Sequence, residues 1–266
     1  MLINTVVLFL SDALPMIIII TLLLTNKTKQ RANVNWLYQG IFIGTFSTII
    51  LTFNLDRLAQ LFDDKGLELL FSFAYLIIYF CICFLMINEN FNQSRKKWHY
   101  TAVAIVTLSL SINGSDFLLY LTGYWSQVDA IQSLIIGITL GTGICISIGV
   151  LLYFFILYSE YKISRKISSI LILLFGAGQL LKGSNLLFQI DLLPIGRALW
   201  DLNYVIKENS ELGRFLTALV GYDASPSKLE LIIYIIALIL PVTVILISRK
   251  IIKEHSLEND KSLENL

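Results

Sequence analysis

Residues 101–121 read TAVAIVTLSLSINGSDFLLYL, and this stretch decides the fold. Its length and apolar composition match a helix that crosses a lipid bilayer. The polar interruption Ser-Ile-Asn-Gly-Ser-Asp at 111–116 falls inside the span, where an ionisable group costs about 2.5–3.5 kcal/mol on insertion scales. Such a cluster normally faces a protein interior or a wet cavity, so we expect it to be central to the function.

The composition is that of an integral membrane protein. Of the 266 residues, 56% are hydrophobic and only 15% are charged, whereas soluble domains are about 25% charged. A formal net charge of +1 provides no basic excess for a nucleic-acid partner. The sequence shows neither a glycine-rich phosphate loop nor a nucleophile with a base at usable spacing, so we do not expect an enzyme.

Seven apolar runs are long enough to cross a bilayer, which predicts an all-α membrane protein with seven transmembrane helices. The seven-span domain covers 1–248, followed by a cytoplasmic tail at 249–266. Within this domain, we expect 190–228 to form short helices lying against the outer face. The approximate limits of the spans are 3–25, 36–54, 67–87, 101–122, 131–157, 168–189 and 229–248.

The distribution of basic residues predicts the orientation. Segments that follow the first, third, fifth and seventh spans carry 13 of the 20 lysines and arginines. The positive-inside rule places these segments in the cytoplasm and the N-terminus outside, in what we expect to be a bacterial inner membrane. The residues are Lys27, Lys29, Arg31, Arg95, Lys96, Lys97, Lys162, Arg165, Lys166, Arg249, Lys250, Lys253 and Lys261.

Spans 1–3 resemble spans 4–6. The polar break SDALP at 11–15 matches INGSD at 112–116, and glycines four apart occur at 40–44 and at 137–141. Glycines at this spacing let membrane helices approach closely. A unit of three spans must enter from the opposite side in its second copy, so the sequence predicts a 3+3 inverted repeat plus one span. This arrangement is typical of secondary transporters.

The outer segment carries a resemblance to a known family. Over about residues 5–248 the chain resembles the high-affinity ferric iron permeases that work beside an iron oxidase. The resemblance implies a permease for a metal cation, iron above all, that holds no permanently bound cofactor. It also implies an iron oxidase or an extracytoplasmic iron-binding protein as a partner. The matching pieces are Leu192-Leu193-Pro194, Leu199-Trp200-Asp201-Leu202, Gly213, Gly221-Tyr222 and Pro226-Ser227.

Two Arg-Glu-Gly-Leu-Glu motifs, in spans one and four, define that family, and this chain departs from both. One carboxylate survives in each motif, at Asp12 and at Asp116, and both arginines are lost. In span six, Asn185 and Gln189 stand where the family tends to carry His and Glu. The motif positions are held by Ser11, Asp12, Ala13, Leu14 and Pro15, and by Ile112, Asn113, Gly114, Ser115 and Asp116.

Asp12 and Asp116 are the residues that we expect to bind metal, as direct ligands of a translocated cation or as proton carriers. The alternative is that each carboxyl only pins two helices together. Asn113 offers either a neutral oxygen ligand or a hydrogen bond for helix packing. Pro15 is expected to kink the first span and to free a backbone carbonyl. The supporting positions are Ser11, Pro15, Ser115, Asn185 and Gln189.

Charge separates the functional alternatives. Two carboxylates balance a divalent or monovalent cation better than ferric iron, so ferrous iron is the form expected if iron is carried. Lys182, in span six, is interpreted as snorkelling to the outer interface, and otherwise as a substitute for the lost arginines.

The alternative function is a transport-inactive pseudo-permease that serves as a membrane scaffold or partner subunit. A third reading is a membrane enzyme subunit or chaperone that merely shares the seven-span pattern.

The predicted orientation can be tested by labelling. In a variant without Cys81, Cys83 and Cys145, a single cysteine at Asn209 should react with an impermeant reagent in intact cells. A cysteine at Asn259 should react only after the cells are opened. Labelling at Asn259 in intact cells would overturn the predicted orientation.

Overall fold

The fold is all-α over the residues that the computed structural model describes: 2–28, 34–90, 95–124, 128–164, 166–194 and 196–264. Seven of the eight helices in this part of the chain are long and apolar enough to cross a membrane, which confirms the expected seven-span architecture. The eight are α1 (Leu2–Thr28), α2 (Asn35–Ala59), α3 (Gly66–Asn90), α4 (Arg95–Tyr124), α5 (Val128–Lys162), α6 (Ile167–Gln189), α7 (Glu211–Val220) and α8 (Lys228–Glu264).

Several spans extend beyond their predicted limits. Helix α4 begins at Arg95 rather than near 101, and α5 continues to Lys162 rather than ending near 157. Long basic side chains at a helix end can reach the interface while the backbone keeps its helical hydrogen bonds. Helix α8 continues past the predicted start of the tail, through Glu264. Among the basic residues that predict the orientation, Lys29, Arg31 and Arg165 lie outside the described residues.

The helices pack as two related halves. Helix α2 of the first half packs on α4, and α5 of the second half packs in the same way on α1. Two further pairs, α1 with α4 and α3 with α6, join equivalent helices of the two halves. In this pairing, the second helix of each half packs on the first helix of the other half, as an inverted 3+3 repeat requires. Helix α8 packs against α6 and α3 and contributes nothing to the largest buried cluster, as an added span would.

Glycines set the two equivalent contacts. A Cβ atom at Gly44 of α2 would lie 2.8 Å from Leu110 of α4, and one at Gly141 of α5 would lie 2.6 Å from Phe9 of α1. Real Cβ atoms do not approach this closely, so both positions need glycine. Close approach of this kind is the usual basis of helix association in membranes.

The bundle has two opposite ends, which we call the α7 face and the basic face. The α7 face is the one at which α1 begins and α6 ends, and the segment 190–227 lies on that side. The basic face is the one at which α1 ends and α6 begins.

Helix α7 enters the bundle instead of lying on its surface, which corrects the expectation for 190–228. Its C-cap, Gly221, has a φ of 70° and packs against Gly178, halfway along α6. Its start is capped by Ser210, whose hydroxyl oxygen accepts from the N–H of Gly213 (3.1 Å). Glycine at both contacting positions lets the two backbones touch, so a ten-residue helix reaches the middle of a span.

The chain on either side of α7 is tied together by short extended segments. The N–H of Leu199 donates to the carbonyl of Pro226 (2.9 Å), and that of Leu202 donates to Ala224 (2.8 Å). Tyr234 of α8 donates its hydroxyl to the carbonyl of Val220 (2.7 Å), which holds the end of α7 in place. The re-entrant segment is therefore anchored at its tip and at its base.

The contact between α7 and α6 predicts the effect of a small substitution. Gly221→Ala should destabilise the protein, because a left-handed non-glycine residue costs about 1–2 kcal/mol. In addition, its Cβ would lie 2.4 Å from the Cα of Gly178. Gly143→Ala is the control: its Cβ meets nothing within 4 Å, and alanine is favoured in a helix by about 1 kcal/mol. Thermal unfolding in detergent measures both, and equal midpoints would contradict the re-entrant packing.

Candidate functional site

Three charged residues lie on membrane-spanning helices at similar depth. Asp12 lies ten residues from the start of α1, Asp116 eight from the end of α4, and Lys182 seven from the end of α6. At 1.5 Å per residue, these positions are about 10–15 Å from the helix ends at the α7 face. We call Asp12, Asp116 and Lys182 the charged cluster.

The three charges act on one another. Asp12 interacts electrostatically with Asp116 and with Lys182, and Lys182 interacts with both carboxylates. Tyr75 of α3 lies within range of both aspartates. Among the described residues, neither carboxylate has a hydrogen bond or an ion pair within 4 Å. The three groups therefore lie within electrostatic range of one another without direct bonds to the carboxylates.

The three members of the charged cluster differ in exposure. Asp116 is exposed, whereas Asp12 and Lys182 are half-buried.

A cavity of about 330 Å³ joins Asp12 to the second polar break. Asp12 and Asn113 both line it, at the groove where α1 and α2 lie on α4. Asn113 is 5% exposed, and its Nδ2 donates to the carbonyl of Ser109 (2.7 Å). The amide is thus held by its own helix and not by a bond across helices. The breaks of the two repeats meet at this cavity.

Three other motif residues, Ser11, Pro15 and Ser115, do not line this cavity. Ser115 is fully buried, and its hydroxyl donates to the carbonyl of Ile112 (2.8 Å). Ser11 is exposed, and Pro15 is buried within α1, which continues as one helix across it. The missing N–H of Pro15 leaves the carbonyl of Ser11 without its usual helical donor.

Asn185 and Gln189 line a separate cavity of about 310 Å³ at the α7 face. Glu230 of α8 lines the same cavity, and its Oε2 accepts from the N–H of Ser227 (2.6 Å). In the amide orientation that satisfies both groups, Asn185 donates to Glu230 Oε1 (3.0 Å). The structure therefore groups these two residues with the outer segment and not with Asp12 and Asp116.

The segment above this cavity is acidic. Burial raises the pKa of the Asp223 carboxyl and the charge of Glu230 raises it further, while the N–H of Ser225 opposes the rise by donating to it (2.8 Å). Burial, Asp223 and Glu230 together raise the pKa of Glu208. Cations that approach the bundle from the α7 face thus meet negative charge.

The donors present do not form a complete metal cage. Across the described residues, no three His, Cys, Asp or Glu side chains cluster closely enough to hold a metal ion. Two carboxylates, the amide oxygen of Asn113 and water fit a hard cation that keeps part of its hydration. They do not fit ferric iron, because two carboxylates carry too little negative charge to balance a trivalent ion.

Lys182 has two interpretations from the sequence, snorkelling to the outer interface and substitution for the lost arginines. The structure places it within electrostatic range of both aspartates, which favours the second. An ionisable residue in a span is itself the signal for such a role. The sequence did not indicate a functional role for Tyr75, because an aromatic residue in an apolar run is usually a core residue.

The geometry defines the class of protein: an integral membrane protein built on an inverted repeat, with a charged cluster inside its bundle. Comparison with protein families, with curated proteins and with solved structures finds no match for this chain.

The raised pKa of Asp223 predicts a pH dependence of stability. The folded state favours the protonated carboxyl, so this stabilisation is complete below the unfolded pKa of about 3.9. It is lost as the pH rises through the higher folded pKa. Asp223→Asn should remove that part of the pH dependence, so that the variant is the more stable protein at neutral pH. Unfolding midpoints between pH 4 and 8 measure this, and parallel curves would contradict it. Asp201→Asn is the control, because it makes the same substitution at another position of the outer segment.

Proposed function

We propose that the protein is a membrane permease for a metal cation, with iron as the metal that the family resemblance implies. One observation carries the proposal: Asp12, Asp116 and Lys182, on three different spans, lie within electrostatic range of one another, and among the described residues neither carboxylate has a hydrogen bond or an ion pair. Ionisable groups inside a membrane are costly and most often mark an ion or proton pathway. A scaffold has no need of charges at this depth.

Lys182 acts as a built-in counter-cation. Two carboxylates and one ammonium group leave a net charge of −1, which a monovalent cation balances while Lys182 stays in place. A divalent cation is balanced only if the ammonium group moves out of the site. Uncompensated charge in a low-dielectric site is strongly unfavourable. The cluster therefore favours monovalent or divalent cations, and iron would be carried as ferrous iron.

The route begins at the α7 face. The acidic groups Asp223, Glu208 and Glu230 lie in or beside the outer segment and would attract cations to that side. The basic bias of the opposite face supports an exterior position for the α7 face, in what we propose is a bacterial inner membrane. An iron oxidase or an extracytoplasmic iron-binding protein would deliver the ion at this face. Rocking of the two repeats against each other would then open the cluster to the cytoplasm.

Uptake by liposomes that contain the purified protein tests the proposal. Wild-type protein should accumulate Mn²⁺ and ferrous iron, and Asp12→Asn or Asp116→Asn should reduce uptake by about tenfold or more, because each removes a charged ligand. Lys182→Gln should shift the preference from Na⁺ toward Mn²⁺, because the empty site then carries a charge of −2. Asp201→Asn, an exposed carboxylate in the outer segment, should leave uptake unchanged.

Two results would contradict the proposal. Folded wild-type protein that accumulates none of these cations would favour the transport-inactive scaffold. Strong uptake of ferric iron would mean that the charge argument is wrong and that ligands outside the charged cluster take part.

A further inference from the structure

Gln179 is a buried amide without a partner. It lies near the middle of α6 and is 1% exposed, and neither its Nε2 nor its Oε1 has a hydrogen-bond partner in the described part of the protein. Buried polar side chains are nearly always hydrogen-bonded, so an amide left open at both ends calls for a bound ion or an ordered water.

The position of Gln179 relates it to the charged cluster. Lys182 follows three residues later on α6, a spacing that puts neighbouring side chains about 5–6 Å apart at Cβ. Phe175 and Leu186, on the same side of α6 as Gln179, pack in or against the apolar cluster that also contains α1 residues. Gln179 is thus one turn closer to the basic face than Lys182, on the side of α6 that is turned toward the core.

The end of α7 lies beside this position. Gly178, the residue before Gln179, packs directly on Gly221 at the C-terminus of α7. The C-terminal end of a helix carries partial negative charge, which favours a cation nearby. Helices that end inside a bundle supply such charge to ion sites in transporters. Helix α7 therefore ends beside the turn of α6 that carries Gln179, in a region where α1, α6 and α7 contact one another.

We propose that Gln179 is a second cation-binding residue, whose side-chain oxygen receives the ion after it leaves Asp12 and Asp116 toward the basic face. This inference rests on the proposed function and names the next position on the same route. An amide oxygen and a helix dipole bind a cation more weakly than two carboxylates. Passage requires such a site, since an ion must be able to enter each position and also to leave it.

Gln179→Leu separates a ligand from a packing residue. Leucine fills a similar space, and without metal the midpoint of unfolding should stay the same or rise, because an unsatisfied buried amide is removed. The Mn²⁺ concentration for half-maximal uptake into liposomes should rise by about tenfold or more. Gln132→Leu makes the same change at an exposed position on α5 and should alter neither quantity.

Two results would overturn the role of Gln179. Unchanged Mn²⁺ uptake in Gln179→Leu would mean that the amide holds only a structural water. A lower midpoint together with a matching loss of uptake would mean that it serves packing. If Asp12→Asn abolishes uptake while Gln179→Leu has no effect, the proposed function stands and this inference fails.

A binding measurement keeps the inference testable even if no transport is seen. Mn²⁺ should raise the unfolding midpoint of the wild-type protein and of Gln132→Leu, and should raise it less in Gln179→Leu. Equal shifts in all three, or no shift in any of them, would overturn the site at Gln179.

Discussion

Charge held inside an apolar bundle is the constraint on which the rest of this structure depends. Asp12, Asp116 and Lys182 come from three spans and act on one another through space. In hydrocarbon, each of these groups alone would be strongly unfavourable. With all three groups ionised, their charges sum to −1, and in the proposed function a cation would neutralise this remainder. The packing of the bundle keeps the three groups near one another without letting them bond directly.

The helix packing is similar in the two halves, except that α7 belongs to the second half alone. Equivalent glycine contacts, Gly44 on Leu110 and Gly141 on Phe9, hold α2 on α4 and α5 on α1. Helices α1 and α4 also pack on each other, so that both polar breaks reach one cavity. The re-entrant α7 has no counterpart among the described residues of the first half. It carries a helix end to the middle of α6, next to Gln179, whose amide lacks a partner among the described residues. The equivalent contacts of the two halves thus bring the polar breaks together, and α7 places a helix end beside the neighbouring turn of α6.

Much of this arrangement could be predicted from local patterns. Apolar runs predict the seven spans, and the matched polar breaks predict that Asp12 and Asn113 approach each other. The depth of α7 could not be predicted, because its amphipathic sequence suits a helix on the surface, and only the contact of Gly178 with Gly221 reveals its insertion. The place of Lys182 depends on which way α6 turns, and Asn185 is drawn to Glu230 of α8, a helix that is distant in the sequence.

The central claim is that a cation binds between Asp12 and Asp116. The most direct measurement is an experimental structure of the protein with Mn²⁺, in which anomalous scattering locates the ion. The account predicts a Mn²⁺ peak coordinated by both carboxylates, with the ammonium group of Lys182 displaced from them. An empty site in which Lys182 bonds directly to both aspartates at saturating Mn²⁺ would contradict it, because the cluster would then be a closed structural ion pair.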